Sequence, residues 1–532
     1  MKTNLLNISL LVLLSAVSLC GCSHDDEPVA TATDGTTLTV TARADGFAPT
    51  DGTAQTDTPQ TRASESGYTT TFVKDDRIGV FAMKDGNVIA DCKNLPCTYD
   101  GTNWNSSTPV YKYTGATYFA YYPYIESMND KTSVDAIVEA FNTAAPTATD
   151  QSTYANYTAC DLMTATVEPP IVGTSLSFSF THRMSLIEIS LPVQKYKTSG
   201  GADAYEYSAP VLGAAFSLAP SGGNATTIQP CPMGKGIYRY IVPAGTSGAT
   251  LSGMFNTADG KTIEYTKSSL SLSAGNYKRL NVTYSGAPSD TPTERALAVG
   301  DYYYSDGSIC PGTTSNPPSQ GCIGIVFWLG DATEKDATLK AAHPGCTHGL
   351  VVALQDASER TAWQDPRISV QDWLNSNMKD AFLAVESDMG GSDPLNNIQG
   401  YNNTKAIEAF NTANSSYKVQ AVEAVVAYRT QVKAPDNSSD WYLPSEKELT
   451  LLCGKEVSDI GTNHSGGTVN RDLINGKLGS ISGTVQIPTS SANYWSSTED
   501  RDTFAFYVYF VNGNVGNYYK SDLYSVRSAL AF

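Results

Sequence analysis

Residues 36–44 read TTLTVTARA, and the order of their side chains decides how the rest of the chain is read. Leu38, Val40, Ala42 and Ala44 fall on alternate positions between polar residues, the period-2 pattern of a half-buried β-strand. Residues 48–67 farther on, APTDGTAQTDTPQTRASESG, contain almost nothing apolar that could hold them to a core. Residues 23–35 on the other side are small, polar and acidic, the composition of a flexible tether. One strand therefore stands apart from its domain, separated by a soft loop that contains Arg62.

Farther upstream, a short cationic start (Met1, Lys2, Thr3) precedes an apolar run from Leu5 to Leu19, then LCGCSHDDE over 19–27. A run of roughly fifteen apolar residues is short for crossing a bilayer and fits a secretory signal over 1–21. Leu19-Cys20-Gly21-Cys22 resembles the lipobox of bacterial lipoproteins, which implies acylation of Cys22 and membrane attachment through the lipid anchor only. The acids at 25–27 resemble the signal that sends lipoproteins of some Gram-negative anaerobes to the outer face of the outer membrane. Residues 22–35 are then an acidic tether.

At 532 residues the chain is long enough for about three domains. Its net charge of -18 and pI of about 4.7 argue against nucleic acid or an anionic membrane surface as partner, since both call for a basic face. The 31 tyrosines and 43 glycines, with abundant Thr and Ser, favour short strands and tight turns. Eight of the ten cysteines remain beyond Cys20 and Cys22. They are too few for a dense disulfide scaffold, and buried thiols or local bridges (Cys92 with Cys97, Cys310 with Cys322) are expected.

Strand signals resume in TTTFVKDDRIGVFAMKDG (69–86), NVIADCKNLPCTYDGTNW (87–104) and VYKYTGATYFAYYPY (110–124). Arg62 in TRAS, Asp76 with Ile78-Gly79-Val80-Phe81, and Ala120-Tyr121-Tyr122-Pro123 resemble, in order and spacing, the fimbrillin family of surface-pilus subunits. A second unit opens at SLSFSFTHRMSLIEISLPV (175–193), with His182 as a core or turn histidine. It closes on LSLSAGNYKRLNVTY (270–284), which reads as a hairpin turning at Gly275-Asn276. The resemblance implies two tandem β-sandwich domains over 36–170 and 171–285. SGAPSDTPTERA supplies a linker over 286–296.

After the linker the pattern changes. GCIGIVFWLG (321–330) and HGLVVALQDA (348–357) read as buried strands. SVQDWLNSNMKDAFLAVES (369–387) and YKVQAVEAVVAYR (417–429) carry helical spacing, and Ser445 with Glu448 forms a capping box. WYLPS, YWSSTE and VRSALAF together resemble a C-terminal module of bacterial surface proteins related to C-type lectins and formylglycine-generating enzymes. The fold is thus read as mainly β, with an α+β C-type-lectin-like domain over 297–532.

Trp441 and Trp495 are candidates for stacking on a sugar, but the preferred reading makes both core aromatics. His343, Cys346 and His348 have the donor chemistry of a zinc site yet lack a fourth ligand, and coincidence in a loop is preferred. SDMGGSDPLNN (387–397) could hold calcium but lacks an EF-hand pattern. No metal or other cofactor is assigned. No G-x-S-x-G, H-E-x-x-H or Walker sequence occurs, and the third domain has only Cys453 late in the chain where formylglycine-generating enzymes use a cysteine pair. An enzyme is not expected.

The resemblance also implies a fate for TTLTVTARA. Fimbrillins are lipid-anchored precursors cut after an arginine, and the departing first strand leaves a groove that another subunit's strand fills, a form of β-augmentation. Arg62-Ala63 matches that processing site. A chain whose VRSALAF is built into a globular domain accepts a strand without giving one, which suits a fimbrial tip adhesin with an outward ligand, host or bacterial and glycan among the candidates. The alternative is an uncleaved outer-membrane lipoprotein acting as a fimbrial anchor or a surface glycan-binding protein.

Overall fold

A computed structural model describes residues 33–50, 68–131, 133–144, 148–200, 204–257, 260–387, 393–435, 437–454, 467–491 and 493–532. The first domain is built from β1 (Thr33–Thr37), β2 (Thr39–Ala44), β4 (Arg77–Lys84), β5 (Asn87–Val88), β6 (Leu95–Tyr99), β7 (Trp104–Asn105), β8 (Tyr111–Tyr113), β9 (Thr117–Tyr122), β10 (Met163–Val167) and β11 (Ser175–His182); β3 (Ala48–Pro49) leaves it for the second domain. The main sheet runs β5-β4-β6-β7-β2-β11-β10-β9, and β4 also pairs with β9, so the sheet closes on itself. Alternation along β11 turns Leu176, Phe178 and Phe180 inward against Leu38 and Val40.

The strand pair expected to open the second unit is divided. Ser175–His182 belongs to the first sheet, while β12 (Met184–Ser190) starts the second domain, so the boundary expected at 170/171 falls at Arg183. A tight joint there lets two successive alternating strands serve different cores.

The second domain adds β13 (Lys195–Lys197), β14 (Glu206–Ser208), β15 (Leu212–Ala219), β16 (Thr226–Ile228), β17 (Cys231–Pro232), β18 (Ile237–Pro243), β19 (Ser247–Asn256), β20 (Thr262–Ser271), β21 (Asn276–Asn281) and β22 (Thr293–Glu294). Sheet β17-β18-β12-β21-β3 faces sheet β16-β15-β19-β20 across Ile187, Ile189, Phe216, Leu251 and Leu270. The hairpin read at Gly275-Asn276 is instead a crossover: β20 pairs with β19 in one sheet and β21 runs parallel to β12 in the other. Gly275, at φ +71°, supplies the turn in either case, which is why local chemistry cannot distinguish them. The expected linker is partly structured too, since β22 adds to β13 in the sheet β14-β13-β22.

The third domain contains β23 (Tyr302–Tyr304), β24 (Ile309–Cys310), β25 (Cys322–Leu329), β26 (Gly349–Ala353), β27 (Ser358–Thr361), β28 (Asn493–Asp500), β29 (Phe504–Tyr509), β30 (Asn514–Tyr519), β31 (Tyr524–Val526) and β32 (Ala529–Ala531). They form two sheets, β24-β23-β25-β26-β32 and β27-β31-β28-β29-β30, flanked by helices. Helix Val370–Asn377, capped by Ser369, covers only the first half of its expected span, since the next stretch includes Asp380 at φ +65°. Helix Gln420–Gln431 buries Val422 and Val425, and helix Glu446–Cys453 starts with the expected Ser445/Glu448 capping box.

Candidate functional site

The site begins with the strand that opened the sequence reading. β2 lies parallel to β11 over six residue pairs, from Thr39 opposite Ser175 to Ala44 opposite Phe180. Its other edge meets β7 at a single pair, Val40 with Trp104. Leu38 and Val40 are 7% and 5% exposed inside the closed sheet, Ala42 and Ala44 are half-buried, and Thr41 and Arg43 reach Ser177 and Ser179 on the outer face. β2 is thus anchored by one full ladder and two large apolar side chains, and its covalent link to the rest of the domain runs through residues 51–67. Cys22, Arg62 and Ala63 lie outside the described residues.

Beyond Ala44 the chain enters the seam between the first two domains. Phe47 is buried in a cluster with Phe81, Phe119, Tyr121, Met184, Leu186 and Tyr277, and its ring stacks on His182 at 3.8 Å. β3 then pairs with β21 of the second domain. His182 is the core histidine expected: Nδ1 meets the Asp161 carboxylate at 2.9 Å and Nε2 meets the Asp45 carbonyl at 2.9 Å. Nearby, Tyr68 stacks on Tyr277 at 3.6 Å and donates to Glu188, which also holds Arg239 and Arg279. Burial and the Glu188 charge push the Tyr68 phenol upward. The sequence reading missed Phe47, although a lone aromatic between an alternating strand and an apolar-poor stretch was its signal.

The family-like residues of the first domain act together. A Cβ at Gly79 would lie 2.3 Å from the Tyr121 ring, and Tyr121 itself bonds Asn94 and the Ile125 carbonyl. Asp76 accepts from Val73 N at 2.7 Å and from Tyr122 OH at 3.1 Å, while burial raises its pKa. These motifs fix the β4–β9 closure of the sheet.

Those of the third domain also converge on one buried joint. Ser497 N donates to the Pro444 carbonyl at 2.8 Å, Tyr442 bridges Ala529, and Glu446 N donates to Thr498 Oγ1 at 3.2 Å. Trp441 and Trp495 are both 0% exposed, with Trp495 Nε1 donating to the Thr361 carbonyl. Neither has a free face for a sugar, so the ligand-stacking candidacy is dropped in favour of core packing. Burial holds the Glu446 and Glu448 carboxyls up to about 8. Glu499 and Lys520 form a fully buried pair at 2.5 Å, with Val370 N and Gln371 N also donating to the carboxylate.

The remaining candidates disperse. All eight described cysteines are buried free thiols, and desolvation pushes Cys97, Cys322, Cys346 and Cys453 up to about 12. His343 meets Tyr401 OH, Cys346 meets the Ala531 carbonyl, and His348 stacks on Tyr205 of the second domain at 3.9 Å, so HPGCTHG does not converge on a metal. No group of metal-ligating side chains occurs among the described residues, and Asp388–Ser392 of the calcium candidate lie outside them.

β32 contrasts with β2. It pairs with β26 on one side and, through Ala529 and Ala531, with Tyr442 and Ser439 on the other, with Ala529, Leu530 and Ala531 fully buried. It is locked into the third domain.

A Bacteroides ovatus protein provisionally named fimbrium tip subunit Fim1C is 29% identical over 572 aligned positions, covering 99% of each chain. A fimbrial protein from Bacteroides ovatus, solved by crystallography, is 26% identical, with 93% of this chain and 99% of that one covered and a TM-score of 0.48. A Bacteroides uniformis protein provisionally described as a cell-adhesion protein aligns with 47% of this chain and 95% of its own at 16% identity and a TM-score of 0.28. Residues 61–298, the body that receives β2 together with the second domain, match the fimbrillin-like family.

Proposed function

We propose that this chain is a structural subunit of a surface fimbria and occupies its tip. It is made as a lipid-anchored precursor acylated at Cys22 and is cut after Arg62. It then accepts an extended strand of a neighbouring subunit in the place of β2. The observation that carries the reading is the asymmetry between two strands. β2 sits in a slot of the first domain and is tied to that body through a single stretch containing Arg62, whereas β32 is bonded on both edges and buried. Such a subunit takes a strand and does not lend β32, which terminates a polymer. The third domain then faces outward as the adhesive part, with main-chain bonds to β11 supplying affinity at the slot. The match to fimbrillin-like proteins and the likeness to a chain named for a fimbrium tip support the same reading.

The test is the N-terminal sequence of the protein recovered from sheared surface fimbriae. A start at Ala63 supports processing and incorporation. An acylated Cys22 in that material overturns the reading in favour of an anchor or a free-standing surface lipoprotein.

A further inference from the structure

The segment ahead of Arg62 fills two places. After β2, Asp45 N donates to the Phe180 carbonyl at 2.9 Å and the Asp45 carbonyl receives His182 Nε2. Phe47 N then donates to the Tyr68 carbonyl at 2.9 Å, Ala48 N to Gly275 at 2.8 Å and Thr50 N to Tyr277 at 3.0 Å. Phe47 is 4% exposed, so its ring completes the packing of the seam between the first two domains. The partners of residues 45–50 named here, Phe180, His182, Tyr68, Gly275 and Tyr277, all lie after Arg62 and stay with the body when the segment leaves.

Gly46 adds a steric condition. A Cβ there would lie 2.5 Å from the Tyr68 carbonyl oxygen and 2.9 Å from its carbon, and Tyr68 is backbone that a side chain cannot push aside cheaply. The residue before the buried aromatic therefore has to be glycine.

Resting on the strand-exchange reading above, we propose that cleavage opens a second docking site, an aromatic socket at the seam floored by His182. The segment that replaces β2 comes from another fimbrial subunit, runs parallel to β11 and refills the socket with a glycine–aromatic pair. Its sequence reads large apolar, x, large apolar, x, small, x, small, x, glycine, aromatic, the pattern of Leu38 to Phe47. An aromatic ring in the socket restores both the stacking on His182 and the apolar seal, and its flanking carbonyl restores the acceptor for Nε2. The partner thus locks the first domain to the second as it enters the slot.

The experiment uses the full chain cut after Arg62 by a trypsin-like protease, with the freed segment left seated. Exchange of that segment against fluorescent peptides of residues 36–50 is followed by anisotropy. The expected result is capture of the native peptide and at least tenfold weaker capture of its Phe47→Ala and Gly46→Ala forms and of a peptide ending at Ala44. Equal capture of all four overturns the socket and leaves strand exchange standing. Capture of none, with the segment retained, overturns strand exchange and the socket with it.

Discussion

Glu499 and Lys520 show how single residues set the stability of the third domain. Both are fully buried, and Lys520 also donates to the Ile368 carbonyl at 2.8 Å and sits 4.8 Å from the Trp363 ring centre. Removing one partner strands the other charge, which typically costs about 3–5 kcal/mol. Lys520→Met should therefore lower the unfolding free energy of the third domain by that amount, read as an earlier denaturant midpoint at an unchanged slope, and an unchanged midpoint would show the pair to be dispensable. Glu446 poses a different test, because burial holds its carboxyl protonated up to about 8 against an ordinary 4.5. Below 4.5 both folded and unfolded states carry the proton. Between 4.5 and about 8 only the folded state does, so stability falls as pH rises, by on the order of 1.4 kcal/mol per unit, and levels off above 8. Glu446→Gln should flatten its share of that fall in denaturant titrations at pH 5 and pH 8. A slope equal to that of the native chain would mean the carboxyl is not what titrates.

At the scale of the element, the proposed processing after Arg62 would remove β2 together with the contacts that hold it. Val40→Asp places a charge in an apolar interior beside Trp104, which should destabilise the precursor by about 3 kcal/mol or more. The same substitution should leave a processed protein carrying an exchanged strand as stable as the native one, and thermal unfolding of both forms checks this. An equal loss in both would mean that β2 never leaves. The strand itself was legible because its period-2 pattern needs no partner to be seen, and the same holds for β11. Their parallel pairing was not legible, since the partners lie 136 positions apart, as Thr41 and Ser177 do, and nothing local encodes that register. The false hairpin at Gly275-Asn276 has the same origin: a glycine turn followed by an alternating strand is identical chemistry whether the chain returns to its own sheet or crosses to the opposite one. Trp441 and Trp495 sat in conspicuous motifs for a related reason. The motifs mark where a helix start, β28 and β32 converge, so their conspicuousness belongs to packing.

At the scale of the molecule, the three domains are joined by apolar seams rather than by free linkers. The first and second share the Phe47 cluster. The second reaches the third through Tyr205 on His348, Tyr207 in the third domain's core cluster, and a paired contact of Arg295 with Asp301 at 2.7 and 2.9 Å. The composition of 286–296 pointed to a linker, but part of it pairs as β22 with β13, and Tyr205 and Tyr207 supply the buried contact beside it. This continuity bears on the tip reading. If the third domain is the adhesive part and the first holds the docking slot, removing residues 297–532 should abolish adhesion to the target surface while the trimmed chain still captures a β2-like peptide. Truncation uncovers Tyr205 and Tyr207, so replacing both with Ser keeps the shortened chain from associating through that patch. Adhesion assays on cells displaying each form, together with peptide capture, then separate the two roles. Retained adhesion without residues 297–532 would move the adhesive surface to the first two domains. Loss of peptide capture would show that the slot depends on the seam beneath it, and the division into an accepting body and an outward-facing head would fall.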